Sequence, residues 1–445
     1  MYKFPENLYT DVRIENVFES TINYTDGILD ENKVREYTGA FIRIFDGQRW
    51  YYKSTTDVEN IQDNIDELSK MAQENEKILE NLIVSKFQVN EDEIHQFEGY
   101  EINSVSQNDK LALVDELIPL IKEKEEVKSW QVNYVDKRVE KEFYSSKGSS
   151  IKHDYQAAGV MIDYAISCGE KKFEDSSSVN SHKFEELKEL INKFEKDYNE
   201  SVEFVKKSKP VEPRKYTVVL SPQVTGVFAH ESFGHKSEAD FMIGDETMMK
   251  EWKIGAEVGA DILSIVDYGD NSVTGYVPYD DEGTKTEKTY LIKNGVLRGR
   301  LHSSSTAADL KEELTGNARA KDFEFEPIVR MTNTYIEPGN KTKDELIGEI
   351  KEGVYIKDFK HGSGMSTFTI APKKAYMIRD GKIAEPVNVS VISGNVMETL
   401  FKIDGVSSEL KITDSVWGGC GKMEQFPLAV SFGGPYVRAR DIQVH

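Results

Sequence analysis

The sequence predicts an α+β chain in two parts. An N-terminal α/β domain of antiparallel strands and long charged helices is expected over residues 1–207, and a mainly antiparallel β domain carrying one chemically loaded helix over residues 216–445. Three observations predict this. The first half holds charged stretches whose apolar residues recur at helical spacing. The second half is a succession of short β-rich runs broken by Gly, Asn and Pro. A chain of 445 residues also exceeds the usual size of one compact domain.

The first half reads as short strand-like runs alternating with amphipathic helices. GAFIRIFDGQRWYYKS (39–54) is two strands around Asp46-Gly47, a hairpin signal. The next stretch (55–75) carries Val58, Ile61, Ile65, Leu68 and Met71 on one helical stripe behind polar capping residues. NDKLALVDELIPLIKEKEE (108–126) and the long charged stretch 181–208 predict two more helices, whose charges form solvated faces. His95, His153 and His182 are scattered here and read as ordinary surface or core residues. KSKPVEPRK (207–215), with two prolines, reads as the linker. Beyond it, Lys293-Asn294-Gly295 and Arg379-Asp380-Gly381 are hairpin turns that tolerate positive φ.

Composition excludes several functions. With 56 basic against 78 acidic residues, net charge −22, the chain repels phosphate backbones, so direct nucleic-acid or anionic-membrane binding is not expected. No run approaches the ~20 apolar residues of a membrane span, and the polar N-terminus is not a signal peptide. The two cysteines, Cys168 and Cys420, lie far apart, which fits a reducing, cytoplasmic setting.

VFAHESFGHKSE (227–238) concentrates the chemistry, with two of the chain's eight histidines five residues apart and Glu231 directly after the first. It follows the strand YTVVLS inside a helical candidate spanning about 222–243. On a regular α-helix, positions five apart point about 140° away from each other. A π-bulge would bring His230 and His235 back toward one face, and Gly234 would ease that distortion. Neutral imidazoles suit zinc, which acidifies a bound water whose proton an adjacent carboxylate can accept. Two readings stay open on these residues alone: a metal pair with Glu231 as its base, or two packing histidines with Glu231 capping a neighbour. Far downstream, WGGCGKMEQFP (417–427) sets Cys420 between glycines, where a turn can expose a thiolate, whereas Cys168 in YAISCG reads as plain packing.

The helix GVFAHESFGHKSEADF, then DDEGTKTEKTYLIKNGVLRGRLH, TGNARA, IVRMTNTYIEPG and GGCGKMEQFPLAVSFGGP together resemble the TldD/PmbA family of metalloproteases, and within it the metal-bearing TldD-type branch. The resemblance is dense from about residue 216 to 445 and weaker before it. It implies that His230, His235 and Cys420 ligate zinc, with Glu231 as catalytic base. Ser232, Phe233 and the run KMEQ depart from the commoner family residues, at positions that leave the presumed ligands untouched. It also places TGNAR near the active site, so Thr315, Asn317 and Arg319 become candidates for binding a peptide backbone or carboxylate. His302 is a candidate oxyanion donor, and His361 lies in a Gly-Ser loop that either approaches substrate or turns the chain. The acidic turn Asp280–Gly283 either orients a ligand or caps an element.

The resulting expectation is a zinc-dependent metallopeptidase acting on unfolded or flexible cytosolic peptides, which would bind extended along a sheet edge, with Glu231 as general base. The resemblance further implies assembly with a TldE/PmbA-like sister subunit; a homodimer is the other possibility. A non-catalytic peptide-binding or assembly subunit, with structural zinc or none, is the alternative. An effect on DNA gyrase through direct DNA contact is disfavoured by the charge.

Overall fold

The computed structural model describes residues 2–269 and 272–445. The fold is α+β, as expected, but the N-terminal strands are far longer than the sequence suggested. β1 (Tyr9–Thr25), β2 (Ile28–Phe45), β5 (Val127–Ser145) and β6 (Ser150–Cys168) run 17, 18, 19 and 19 residues. With β3 (Trp50–Thr55), β4 (Glu91–Ile94) and β7 (Lys171–Ser181) they form one sheet in the order β3-β2-β1-β5-β6, with β4 and β7 paired to β6.

Residues 28–36 of β2 are exposed and reach beyond the core; elsewhere both faces of this sheet are covered, one of them by charge. On one face, Trp130, Val132 and Tyr134 of β5 and Val160, Ile162 and Tyr164 of β6 form a core with two helices. These are α2 (Gln107–Lys122) and α3 (Glu189–Lys207). α1 (Ile61–Ser69) covers Val12, Ile42 and Ile44 through its Ile61, Ile65 and Leu68. The opposite face of β1 buries Asp11, Arg13 and Glu15, so a run that alternates like a half-solvated strand, D-V-R-I-E, is covered on both sides.

Those buried charges meet the acidic turn at 280–283. Arg43 Nε reaches Asp11 at 2.9 Å and its Nη2 reaches Glu282 at 3.1 Å. Lys141 Nζ lies 2.9 Å from Asp281, and Arg13 donates to the Asp322 carbonyl at 2.8 Å. Burial alone would raise the Asp281 pKa, but the Lys141 and Arg13 charges outweigh it and hold the carboxyl well below the usual range. Asp280, buried and beside Glu282, is instead pushed well above it. Its carboxylate collects the backbone N–H groups of Glu282, Thr284 and Ala318. The acidic turn is thus an ionic plug between the two halves.

The C-terminal half holds a ten-stranded and a six-stranded sheet. Lys209–Pro210, inside the expected linker, already pairs with Val387–Asn388 of the larger one. β8 (Arg214–Leu220) lies in that sheet between Val437–Val444 and Glu352–Ile356. Both sequence-marked hairpins turn through left-handed residues, Asn294 and Gly295 at φ 51° and 76°, Asp380 and Gly381 at 44° and 77°. α4 (Pro222–Ala229) leaves β8 through an N-cap at Ser221, whose Oγ accepts from the Val224 N–H, with Pro222 in the first turn. Its Val224, Val227 and Phe228 sit in the largest hydrophobic core. Gly226 lies against the backbone of Gly433, where a Cβ would collide, so the helix seats directly on the strand Ser431–Gly434. That seat fixes where the end of α4 points.

Candidate metal centre

After Ala229 the helix widens into a π-turn over His230–Gly234 and tightens into a 3-10 turn over His235–Ser237. The five-residue turn sets the two imidazoles edge to face, ring centres 5.0 Å apart. Gly234 is helical, with φ −55°, so glycine's conformational freedom is not what the position uses. It uses space: a Cβ there would collide with the Met331 sulfur.

Cys420 opens the strand Cys420–Lys422, paired with Gln425–Leu428. Its Sγ lies 3.5 Å from His235 Nε2, and the His230, His235 and Cys420 donor atoms all fall within 4.8 Å of one another. The fully buried Arg330 fastens this hairpin, donating to the carbonyls of Cys420 at 2.6 Å and Gln425 at 3.2 Å.

Behind His235 stands a relay that sequence reading missed. Glu238 Oε2 lies 3.1 Å from His235 Nδ1, and Lys422 Nζ is 3.2 Å from the same oxygen. Lys422 also donates to Asp240 at 2.7 Å and to the Val329 carbonyl at 2.8 Å. The only trace of this in the sequence is an acid one turn after a ligand-type histidine, and a carboxylate in that role orients the ring.

Burial would lower the His235 pKa, but its bonds to Cys420 and Glu238 prevail and lift it to about 10. Burial would raise Cys420, yet the facing His230 and His235 bring it down to about 5. These shifts pair a Cys420 thiolate, the form that ligates metal, with a protonated His235, whose Nε2 must give up its proton to join the thiolate as a ligand. Two imidazoles and a thiolate suit zinc, and three protein ligands are the set that leaves a fourth position open. His230 Nδ1 is buried without a hydrogen-bond partner among the described residues. The residues fit the ion.

Glu231, next to His230 in the chain, is half-buried, and its carboxylate has no hydrogen-bond or ion-pair partner among the described residues. It lies under the hairpin of Phe359–Ser363 and Thr367–Pro372, where Gly362 approaches its side chain and Gly364 its carbonyl. Phe359–Ser363 is the outer strand of the ten-stranded sheet, and His361 on it is exposed.

The remaining candidates lie apart from the three donors. His302 is buried between Thr306 and Glu312, and its backbone N–H donates to Thr315 Oγ1. The Asn317 side chain bonds Asp267 and the Arg330 carbonyl. Arg319 donates to the carbonyls of Met331 and Ala429 and faces a cavity between the two halves.

Residues 213–445 match the PmbA/TldA metallopeptidase C-terminal domain, and residues 10–78 match domain 1 of the same family. The chain is 32% identical to a metalloprotease of Methanothermobacter thermautotrophicus, covering 98% of this chain and 95% of that one. It is 29% identical to a zinc metalloprotease TldD homolog of Saccharolobus solfataricus, over 98% and 96% of the two chains. Among solved structures it superposes on a Thermotoga maritima protein named for modulating a DNA gyrase, with TM-score 0.78, 22% identity and 98% and 96% coverage. TldE from Thermococcus kodakarensis gives TM-score 0.71 at 16% identity, over 98% and 96%.

Proposed function

The chain belongs to the PmbA/TldD family of metallopeptidases, and from that premise we propose that it is a zinc peptidase of unfolded or flexible cytosolic peptides. The observation that carries this reading is the convergence of His230, His235 and Cys420, with an unpaired carboxylate on Glu231, the residue after His230. When bound by those three donors, zinc supplies Lewis acidity to water and to the scissile carbonyl. Glu231 takes the proton from the attacking water and returns it to the leaving amine. The hairpin over Glu231 offers Phe359–Ser363 as a free sheet edge, on which an extended peptide gains main-chain hydrogen bonds and lies across the base. On this reading the partner is a TldE-like sister subunit or a second copy, in line with the fold shared with TldE. No helix among the described residues is long and apolar enough to cross a membrane.

The test is metal content together with casein hydrolysis, with and without chelator, on the chain alone and with a sister subunit. One equivalent of zinc and chelator-sensitive cleavage are expected. Glu231→Gln should keep the zinc and lose hydrolysis by about 10²-fold or more. Full activity in Glu231→Gln would refute the assignment of the base. A zinc-bearing wild type that cleaves nothing with either partner would favour a non-catalytic assembly subunit.

A further inference from the structure

The cavity beside Arg319 encloses about 360 Å³ between the N-terminal sheet and the C-terminal half. That volume suits a small ligand. Strand alternation builds one wall: His153, Tyr155 and Ala157 on β6 and Lys137, Val139 and Lys141 on β5 share the face turned away from α2 and α3. The opposite wall includes Arg319, Val416 and Leu428, and Leu428 is the cross-strand partner of Cys420.

The polar groups in this cavity are unbalanced in one direction. Asp136 is taken by Lys110 at 2.6 Å, Asp281 by Lys141 at 2.9 Å, Glu15 by Arg13 at 3.1 Å and Glu19 by Arg35 at 3.1 Å. Arg319, Lys137 and Lys321 have no carboxylate within 4.0 Å among the described residues. Arg319 is 7% exposed and spends two N–H groups on carbonyls, leaving three of a guanidinium's five donors unused. The Tyr155 hydroxyl makes no hydrogen bond to the described residues, and His153 Nδ1 is buried without a partner. The spare Arg319 donors are not sealed away without a partner, so an anion entering the cavity can take them in place of water. A single carboxylate does so in bidentate form, while the carboxylates already in the walls oppose a dianion. The apolar remainder, Val139, Val277, Val416 and Leu428, calls for a hydrophobic body behind the charge.

We propose that this cavity is a binding site for a small amphipathic carboxylate, of the chemistry that a peptide's hydrophobic C-terminal residue presents, with Arg319 receiving the carboxylate. Only the identity of the natural occupant rests on the peptidase reading; the site itself does not. The hairpin that carries Cys420 forms part of its wall, so an occupant touches the segment that supplies a metal donor.

N-acetyl-phenylalanine is titrated calorimetrically into the full chain, beside N-acetyl-phenylalaninamide and inorganic phosphate. The acid should bind at least tenfold more tightly than either control, and Arg319→Gln should remove that difference. Because Arg319 also holds two carbonyls, Val416→Trp provides a second variant: it fills the cavity and should abolish binding while zinc content stays unchanged. Equal binding of acid and amide, phosphate binding as tight as the acid, or undiminished binding in Val416→Trp would each overturn the site. A chain that binds the acid yet never cleaves casein would instead refute only the peptidase reading.

Discussion

Glu238 gives the sharpest test of the metal centre, because it touches a presumed ligand without being one. It is fully buried, 3.1 Å from His235 Nδ1 on one side and 3.2 Å from Lys422 on the other. Glu238→Gln keeps the volume and one oxygen that accepts from the imidazole, but removes the charge that makes the ring a better donor. Lys422 is not orphaned by this change, since Asp240 at 2.7 Å and the Val329 carbonyl at 2.8 Å still hold it. The folding cost should therefore stay near that of one buried hydrogen bond, about 1–3 kcal/mol. Losing a carboxylate behind a ligating histidine costs about 10–100-fold in metal affinity, or roughly 1.4–2.7 kcal/mol. Glu238→Gln should fall at the lower end of that range and Glu238→Ala at the upper.

The assay is competition for zinc against a chromophoric chelator at fixed pH, beside thermal unfolding of chelator-stripped protein. A purely structural Glu238 would lower the melting temperature and leave zinc affinity of the folded protein alone. Zinc affinity within twofold of wild type in a folded Glu238→Gln would refute the relay.

Three further outcomes are expected. Gly234→Ala must push aside the Met331 sulfur, which should cost about 1–3 kcal/mol in a thermal melt and weaken zinc binding; Met331→Ala in the same chain should restore part of both. Arg43→Met leaves Asp11 and Glu282 buried and unpaired, so urea unfolding should show a loss of about 3–5 kcal/mol, whereas exposed Lys207→Met at its Glu203 pair should show less than about 1. Burial, helped by the Lys141 charge, holds His153 down at about 3, so the fold disfavours its protonated form. Stability from this group is complete above about pH 6.5 and is lost as pH falls toward 3; between pH 6.5 and 5 it amounts to at most about 2 kcal/mol. His153→Leu should flatten that limb of a stability–pH curve, and an unchanged slope would contradict the burial.

How much of this was legible in the sequence depended on whether a signal was local. The hairpin turns at Asn294-Gly295 and Asp380-Gly381 follow from backbone sterics of adjacent residues, and the helices from their own apolar stripes, so both could be read directly. The long strands could not. Asp11, Arg13 and Glu15 look like a solvated stretch until the turn at 280–283 is brought against them, and that partner lies more than 260 residues away. Lys422 reads as surface for the same reason, because its acceptors, Glu238, Asp240 and Val329, arrive from two other segments.

The centre itself shows local and distant causes acting on the same residues. Spacing five is incompatible with two histidines sharing a face of a regular helix, so the sequence required a widened turn for any joint role, and the turn over His230–Gly234 has that form. Gly234 was expected to ease the distortion through its conformational freedom, whereas its φ is helical and its neighbour leaves no room to spare. The widening is therefore held by what surrounds it. Gly226 on Gly433 fixes the helix axis, Met331 presses on Gly234, and Glu238 holds the far side of the His235 ring. Each restraint comes from packing or a buried hydrogen bond rather than from the propensity of HESFGH. It follows that the same six residues on an isolated peptide should form no such turn, and that zinc affinity will track the integrity of these three supports as closely as that of the ligands.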